Sequence, residues 1–189
     1  MPRVDRRAEI SAAAFAGIAE LGFEGLRMRD VAARAGVNIA TVHYYFSSKE
    51  ELIAAAYRVL QQRFQAAMPG EGTPAERLSG HLTAVGELLI TDGELRRALA
   101  ELALRAARDP VLAEQIAAAE EAWLKSIRSL VRRGVREESW AVRVDPAAFA
   151  VTMVALLKGV CMPTLLPSRA AELRAAIRQQ LRWLTGVER

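Results

Sequence analysis

Residues 28–52 read MRDVAARAGVNIATVHYYFSSKEEL, and the spacing of turn formers and helix formers in this stretch decides the local fold. Gly36 ends a short helical run, because glycine readily takes the left-handed conformation that terminates helices. Asn38 is a favoured N-cap residue, which predicts a second short helix over residues 39–45. Two short helices joined by a glycine turn form the helix-turn-helix unit, whose second helix enters the major groove of DNA.

Helix signals through the rest of the chain predict an all-α fold. Alanine, leucine, arginine and glutamate dominate the composition, and no window alternates with the period of a strand. Thr73, Asp109 and Asp145 each precede a proline and are placed to cap a helix that has proline at its first position. Gly22 is expected to end the first helix. About nine helices are predicted, over approximately residues 4–21, 28–35, 39–45, 48–66, 74–91, 94–108, 110–137, 146–166 and 168–186.

The charge distribution permits a nucleic-acid partner without requiring one. The formal net charge is +4 and the sequence pI is about 9.7. Residues 1–50 carry seven basic and six acidic side chains, so the region of the helix-turn-helix is close to neutral. Because nonspecific affinity rises with the number of phosphates neutralised, an architectural DNA binder without sequence preference is disfavoured.

Several kinds of site are disfavoured by what the chain lacks. Cys161 is the only cysteine, so no intrachain disulfide can form. With only His43 and His81 available, we expect no protein-only metal site. No nucleophile is paired with a base and no glycine-rich phosphate loop occurs, so we expect neither an enzyme nor a bound cofactor.

The most apolar stretch is residues 146–166, which contains Lys158 and Pro163. These two residues favour a buried helix over a membrane span. A helix that is apolar on nearly every side needs cover from two directions, its own domain and a partner subunit. The first residues carry charge rather than a long apolar segment, so the cytoplasm is the expected location.

The predicted helix over residues 39–45 has one side for the core and another for DNA. Val42 and Phe46 lie four residues apart and are expected to face inward with Val37. The side chains left toward the groove or the phosphates are Ile39, Ala40, Thr41, His43, Tyr44 and Tyr45. For Tyr45, half-burial within the small domain is an open alternative.

The stretch MRDVAARAGVNIATVHYYFSSKEEL resembles the N-terminal motif of the TetR family of bacterial one-component regulators. The resemblance covers about residues 6–57, and the positions in register are Gly36, Thr41, Tyr45, Phe46 and Lys49. It implies a helix-turn-helix DNA-binding domain over residues 1–50. It also implies a larger helical domain for ligand binding and dimerisation over residues 51–189.

The resemblance also implies roles for single residues. The positions that match base-edge contacts are Asn38, Ile39, Ala40, Thr41 and His43, and those that match phosphate contacts are Tyr44, Tyr45 and Lys49. The threonine can bond a base edge or offer its methyl group to thymine, whereas tyrosine hydroxyls and lysine suit phosphate oxygens. Arg27 stands where the family has a Ser or Thr cap, so the helix that follows it is capped otherwise or frayed, or Arg27 contacts a phosphate. His43 stands where tyrosine is common.

Six residues of the larger domain are candidates for lining a ligand pocket: Tyr57, Phe64, His81, Trp123, Met153 and Met162. The alternative for each is an ordinary core position, and for His81 a satisfied structural histidine or a surface position. The preponderance of alanine and leucine favours a lipophilic ligand.

Together these features predict a homodimeric repressor that a small-molecule inducer releases from a pseudo-palindromic, double-stranded operator. The dimer is expected to form through the last two helices, about residues 146–186, and no membrane contact is expected. The alternative is a helical-bundle small-molecule binding protein or enzyme that does not act on DNA.

Overall fold

The computed structural model describes residues 5–67, 70–137, 140, 144–161 and 169–185. Within these ranges all regular secondary structure is helical, which confirms the predicted all-α class. The helices are α1 (Arg6–Gly25), α2 (Met28–Arg34), α3 (Ile39–Tyr45), α4 (Lys49–Ala66), α5 (Pro74–Thr91), α6 (Gly93–Ala106), α7 (Pro110–Glu137), α8 (Pro146–Gly159) and α9 (Ala170–Thr185). None of these described helices is both long and apolar enough to span a bilayer.

Gly22 interrupts the first helix where the sequence predicts its end, because its backbone is not helical. Its φ of 68° kinks α1, which then resumes and continues to Gly25. The added turn carries Phe23, whose side chain is only 5% exposed. Burial of this ring, which is worth about 2 kcal/mol, favours continuation of the helix past an irregularity that glycine tolerates.

The end of α8 also differs from the prediction, since α8 ends at Gly159 rather than near residue 166. Val160 and Cys161 form a turn, in which the Val160 amide donates to the Leu157 carbonyl at 3.2 Å. The remainder of the predicted segment lies within residues 162–168, outside the described ranges.

The chain forms two compact units, and the first contains Met1–Arg63 together with Glu94–Ala113. Its largest fully buried side chains are Ile10, Phe15, Ile18, Phe46, Leu52, Leu95 and Leu102. Helix α6 is also held in this unit by a polar contact, because Arg97 Nε donates to the Ala19 carbonyl at 3.0 Å. The sequence analysis divides the chain at residue 50, which would assign α6 to the other domain. That boundary stays a prediction.

The second unit contains Phe64–Gly93 and Glu114–Arg189. Its most deeply buried residues are Leu78, Leu82, Val85, Ile127, Val131, Ala150, Met153 and Leu157. Helices α5 and α9 approach closely at Gly86, where a Cβ atom would lie 2.5 Å from Ile177 Cδ1. A second close approach places the ring of Trp140 against Gly134 of α7, where the ring would overlap with a Cβ atom.

Arg7 of α1 fastens the C-terminal end of α3. Its Nη1 donates to the Tyr45 carbonyl at 2.8 Å, and its Nη2 donates to Glu51 Oε1 at 2.7 Å. The guanidinium carbon lies 4.6 Å from the centroid of the Phe46 ring, within the range of a cation–π contact. Because a helix of seven residues is not stable alone, these tertiary contacts are needed to hold α3 in place.

Glu51 is the carboxylate of this cluster. Its Oε2 accepts hydrogen bonds from the Ser47 amide at 2.9 Å and the Ser47 hydroxyl at 3.0 Å. The Ser47 amide, followed by Arg7, lowers the pKa of Glu51 from about 4.5 to about 2. Because the pKa is lower in the folded chain, the ionised carboxylate stabilises the fold above about pH 4.5, and this contribution is lost as the pH falls toward 2.

Replacing Arg7 with glutamine should raise the pKa of Glu51 toward its ordinary value. The rise should be incomplete, because the Ser47 amide still donates to the carboxylate. An NMR titration of the Glu51 side chain measures this directly. Arg6→Gln is the matched control, since Arg6 pairs with Glu9 instead and its loss should leave the pKa of Glu51 unchanged. An unchanged pKa in Arg7→Gln would contradict the assignment of this cluster.

Gly134→Ala should destabilise the second unit by about 1–3 kcal/mol, because the new methyl group must displace the Trp140 ring. Urea unfolding followed by tryptophan fluorescence measures the change. Gly159→Ala is the control: no atom of the described residues lies within 4 Å of its Cβ position, and alanine favours a helix, so stability should hold or rise. Equal stability of wild type and Gly134→Ala would show that the contact with Trp140 is not tight.

Candidate functional site

The turn between α2 and α3 has the geometry of a helix-turn-helix. Gly36 has φ of 63°, and within the described ranges no atom lies within 4 Å of its Cβ position, so glycine is needed here for its backbone conformation rather than for space. The Val37 amide donates to the Ala32 carbonyl at 3.0 Å and closes the turn. Asn38 then caps α3, because its Oδ1 accepts from the Thr41 amide at 2.7 Å. This confirms the predicted cap.

Helix α3 has a buried side and an exposed side. Val42 and the adjoining Phe46 are fully buried, as predicted. Tyr44 is 82% exposed and Ile39 is 47% exposed. Ala40 and His43 are also exposed, whereas Thr41 and Tyr45 are half-buried. Of the predicted base-edge residues on α3, Ile39, Ala40 and His43 are therefore exposed and Thr41 is half-buried.

Two of the predicted contact residues, Thr41 and Tyr45, also interact with neighbouring side chains. The Thr41 hydroxyl donates to Asn38 Oδ1 at 2.8 Å, which leaves its lone pairs and its methyl group for a base edge. Tyr45 is half-buried and packs edge-on against Tyr44, with ring centroids 5.1 Å apart. For Tyr45, half-burial and a phosphate contact are therefore compatible.

Lys49 has an acceptor that sequence reasoning did not find. Its Nζ donates to the Phe23 carbonyl at 2.6 Å and so links the first turn of α4 to the last turn of α1. An ammonium group has three N–H donors, so two remain for a phosphate oxygen. A positive charge at a helix N-terminus is repelled by the positive end of the helix dipole. The Phe23 carbonyl offsets this repulsion for Lys49.

Arg27 precedes α2 and is exposed. Its side chain makes no capping bond, as expected for a residue without an acceptor, and its carbonyl accepts from the Asp30 amide at 2.9 Å and the Val31 amide at 3.2 Å. Asp30 lies in the first turn, where its negative charge is favourable at the helix N-terminus. Arg27 therefore has its guanidinium available for a phosphate.

Among the predicted ligand residues, the structure brings Phe64, His81 and Trp123 together. The Trp123 indole N–H donates to His81 Nε2 at 2.7 Å, and the Phe64 and Trp123 rings lie 6.2 Å apart. Because Nε2 accepts, Nδ1 carries the proton and donates to the Ala67 carbonyl at 3.3 Å. Burial lowers the pKa of His81, against the weaker opposing effect of that carbonyl. Both ring nitrogens are thus occupied within the chain.

The other ligand candidates are dispersed. Tyr57 on α4 and Met153 on α8 are buried core residues, and Met162 lies outside the described residues. A groove of about 650 Å³ lies between α5 and α9, and a smaller hollow of about 120 Å³ lies between α7 and α8. None of the five candidates that the structure describes lines either of them. Within the described ranges, no cluster of three or more His, Cys, Asp or Glu residues is placed to hold a metal ion.

Two family models match the chain. The model for bacterial regulatory proteins of the tetR family matches residues 10–56, which contain α2 and α3. The model for the tetracyclin repressor-like C-terminal domain matches residues 98–180. The HTH-type transcriptional regulator BetI of Rhizobium meliloti (strain 1021) is 38% identical over 87 residues, which are 42% of this chain and 43% of BetI. The match therefore spans less than half the length of that relative.

Solved structures resemble the chain over nearly its whole length. A putative TetR-family transcriptional regulator from Rhodococcus sp. is 26% identical with a TM-score of 0.75, over 95% of this chain and 100% of that one. A transcriptional regulator from Rhodococcus sp. Rha1 is 27% identical with a TM-score of 0.73, over 94% and 95% of the two chains. From the matched N-terminal and C-terminal models and these shared architectures, the chain belongs to the tetR family of bacterial regulatory proteins.

Proposed function

We propose that this protein is a sequence-specific DNA-binding transcriptional regulator, a homodimeric repressor that leaves a pseudo-palindromic operator when a small-molecule inducer binds. The observation that carries this proposal is the outer side of α3. A helix of seven residues is anchored by two fully buried side chains, exposes His43 and Tyr44, and leaves Thr41 and Tyr45 half-buried. That arrangement fits the major groove, and operator DNA would place the protein in the cytoplasm.

The proposed contacts divide into those that read sequence and those that fix position. Asn38, Ile39, Ala40, Thr41 and His43 lie at the start and on the outer side of α3 and would face base edges. Tyr44, Tyr45, Lys49 and Arg27 would bind phosphates, because hydroxyl and cationic groups suit phosphate oxygens. Phosphate contacts set the register of the helix but do not distinguish sequences.

The proposed dimer forms through α8 and α9. Val151 on α8 is 56% exposed and Trp183 on α9 is 59% exposed, so both helices carry large apolar side chains on the surface of the single chain. Burial of such side chains in a partner subunit would stabilise association. Two copies of α3 would then lie about 34–36 Å apart and read successive major grooves of one operator.

Release by an inducer requires two conformations of the dimer that differ in the spacing of the two α3 helices. The inducer must bind more tightly to the conformation that does not fit the operator. The tetR family supports the presence of an inducer site in the larger unit, and its members are in general not enzymes. The six residues taken from the sequence do not identify the inducer. His81 and Trp123, for example, already bond each other rather than offering polar groups to a ligand.

Thr41→Ala should relax base preference at one operator position and weaken binding to the best sequence by about 1–3 kcal/mol. Tyr44→Phe removes only an exposed hydroxyl and should weaken binding to all sequences alike, because the lost contact is to phosphate. Competition binding with a set of single-base operator variants measures both effects. Equal losses from the two substitutions on every DNA would favour an architectural binder over a specific regulator.

The double substitution Val151→Glu with Trp183→Glu should convert the dimer to a monomer and weaken operator binding, because each half-site alone engages too few contacts. Sedimentation equilibrium measures the mass. Leu104→Glu is the matched control: Leu104 is 67% exposed on α6, so its replacement should leave the dimer intact. A double variant that stays dimeric would exclude α8 and α9 as the interface.

A further inference from the structure

The groove between α5 and α9 is lined by two facing polar rows. On α5 the row consists of Glu76, Ser79, Thr83 and Glu87, whose spacing of three or four residues places them on one side of the helix. On α9 the row consists of Arg174, Arg178 and Arg182, spaced by four. Three arginines thus line the α9 side of the groove. The polar row of α5, which is far away in the sequence, lines the other side.

One end of the groove is closed by an ion pair. Arg174 Nε and Nη2 donate to the two carboxylate oxygens of Glu87 at 2.6 Å and 2.9 Å, which is a bidentate arrangement. At the opposite end, the Glu76 carboxylate accepts from the Thr73 amide at 3.0 Å as part of the cap of α5. Both carboxylates of the lining therefore already have donors.

Arg178 and Arg182 differ from Arg174, because neither forms an ion pair with a carboxylate in the described part of the chain. Arg182 Nη2 donates to the neutral Gln179 side chain at 2.9 Å. Arg178 is close enough for its charge to contribute, after Arg174, to lowering the pKa of Glu87. Beyond the Arg174–Glu87 ion pair, the groove therefore carries two positive charges that no described carboxylate neutralises through an ion pair.

The floor of the groove is apolar. Ala75 of α5 and Ile177 and Leu181 of α9 line it beneath the polar rows. Its volume of about 650 Å³ is within the range of about 300–1,000 Å³ that small-molecule sites occupy. An apolar floor beneath a rim of arginines matches a molecule that has an apolar chain and an anionic head.

We propose that the α5–α9 groove binds an amphipathic organic anion, with its apolar chain on Ile177 and Leu181 and its carboxylate or phosphate head between Arg178 and Arg182. Guanidinium groups bind either oxyanion through paired N–H donors. A neutral molecule of the same length would bury the same floor but leave the two charges without a partner. The inference rests on the groove alone and holds whether or not the protein binds DNA.

Isothermal titration of the full chain with probes of one chain length tests the proposal. Decanoate and decyl phosphate, kept below their micelle concentrations, supply the two head groups. Decanol supplies the neutral comparison, and decyltrimethylammonium supplies the cationic one. We expect both anions to bind at least tenfold more tightly than decanol and the cation not to bind. The tighter of the two anions identifies the preferred head.

The arginines are tested by the double substitution Arg178→Gln with Arg182→Gln, which should weaken decanoate at least tenfold and abolish its advantage over decanol. Arg132→Gln with Arg136→Gln removes an equal charge from two exposed positions on α7 and should leave the affinity unchanged. Thr83→Trp fills the groove and should weaken decanoate and decanol together.

Three results would overturn the proposal. Decanol could bind as tightly as the anions, or the double arginine variant could retain wild-type affinity for decanoate. In the third result, the wild type binds no probe and the double arginine variant differs from it in oligomeric mass. That result would assign these arginines to a contact with a second copy of the chain.

Discussion

The anchoring of α3 is the constraint on which the rest of the DNA-facing surface depends. A seven-residue helix has too few hydrogen bonds to form alone, so its position comes from tertiary contacts. Burial of Val42 and Phe46 supplies about 1.5–3 kcal/mol each. Arg7 covers the Phe46 ring and bonds the last carbonyl of the helix, at Tyr45. These inward contacts fix the backbone of α3. They thereby set the positions from which its outward side chains would read DNA.

Local signals predicted much of this fold. The cap at Asn38 and the glycine at position 36 gave α3 its observed bounds, because capping depends on residues within one turn. Contacts between distant residues could not be predicted in the same way. Arg7 and Glu51 lie 44 residues apart, and Lys49 and Phe23 lie 26 apart, with no pattern that links them. The stop signal at Gly22 correctly located the break in α1, but the further turn that buries Phe23 depends on the tertiary fold.

The larger unit shows a second limit of sequence reasoning. Aromatic and methionine residues suggest a pocket, but a pocket is the space that remains after side chains have packed. His81 and Trp123 satisfy each other, and Met153 is buried. The observed groove is lined instead by Arg178, Thr83 and their neighbours. A solvated polar row on one helix becomes a binding wall only when tertiary structure places a second row opposite it.

The most direct test of the account is selection of bound sequences from a random duplex pool at about 0.15 M salt, with the mass of the protein–DNA complex measured alongside. The account predicts an enriched inverted repeat, bound by a dimer, with half-site centres about one helical turn or a small multiple apart. A pool that shows no enrichment at any salt concentration would contradict the claim that α3 reads DNA sequence.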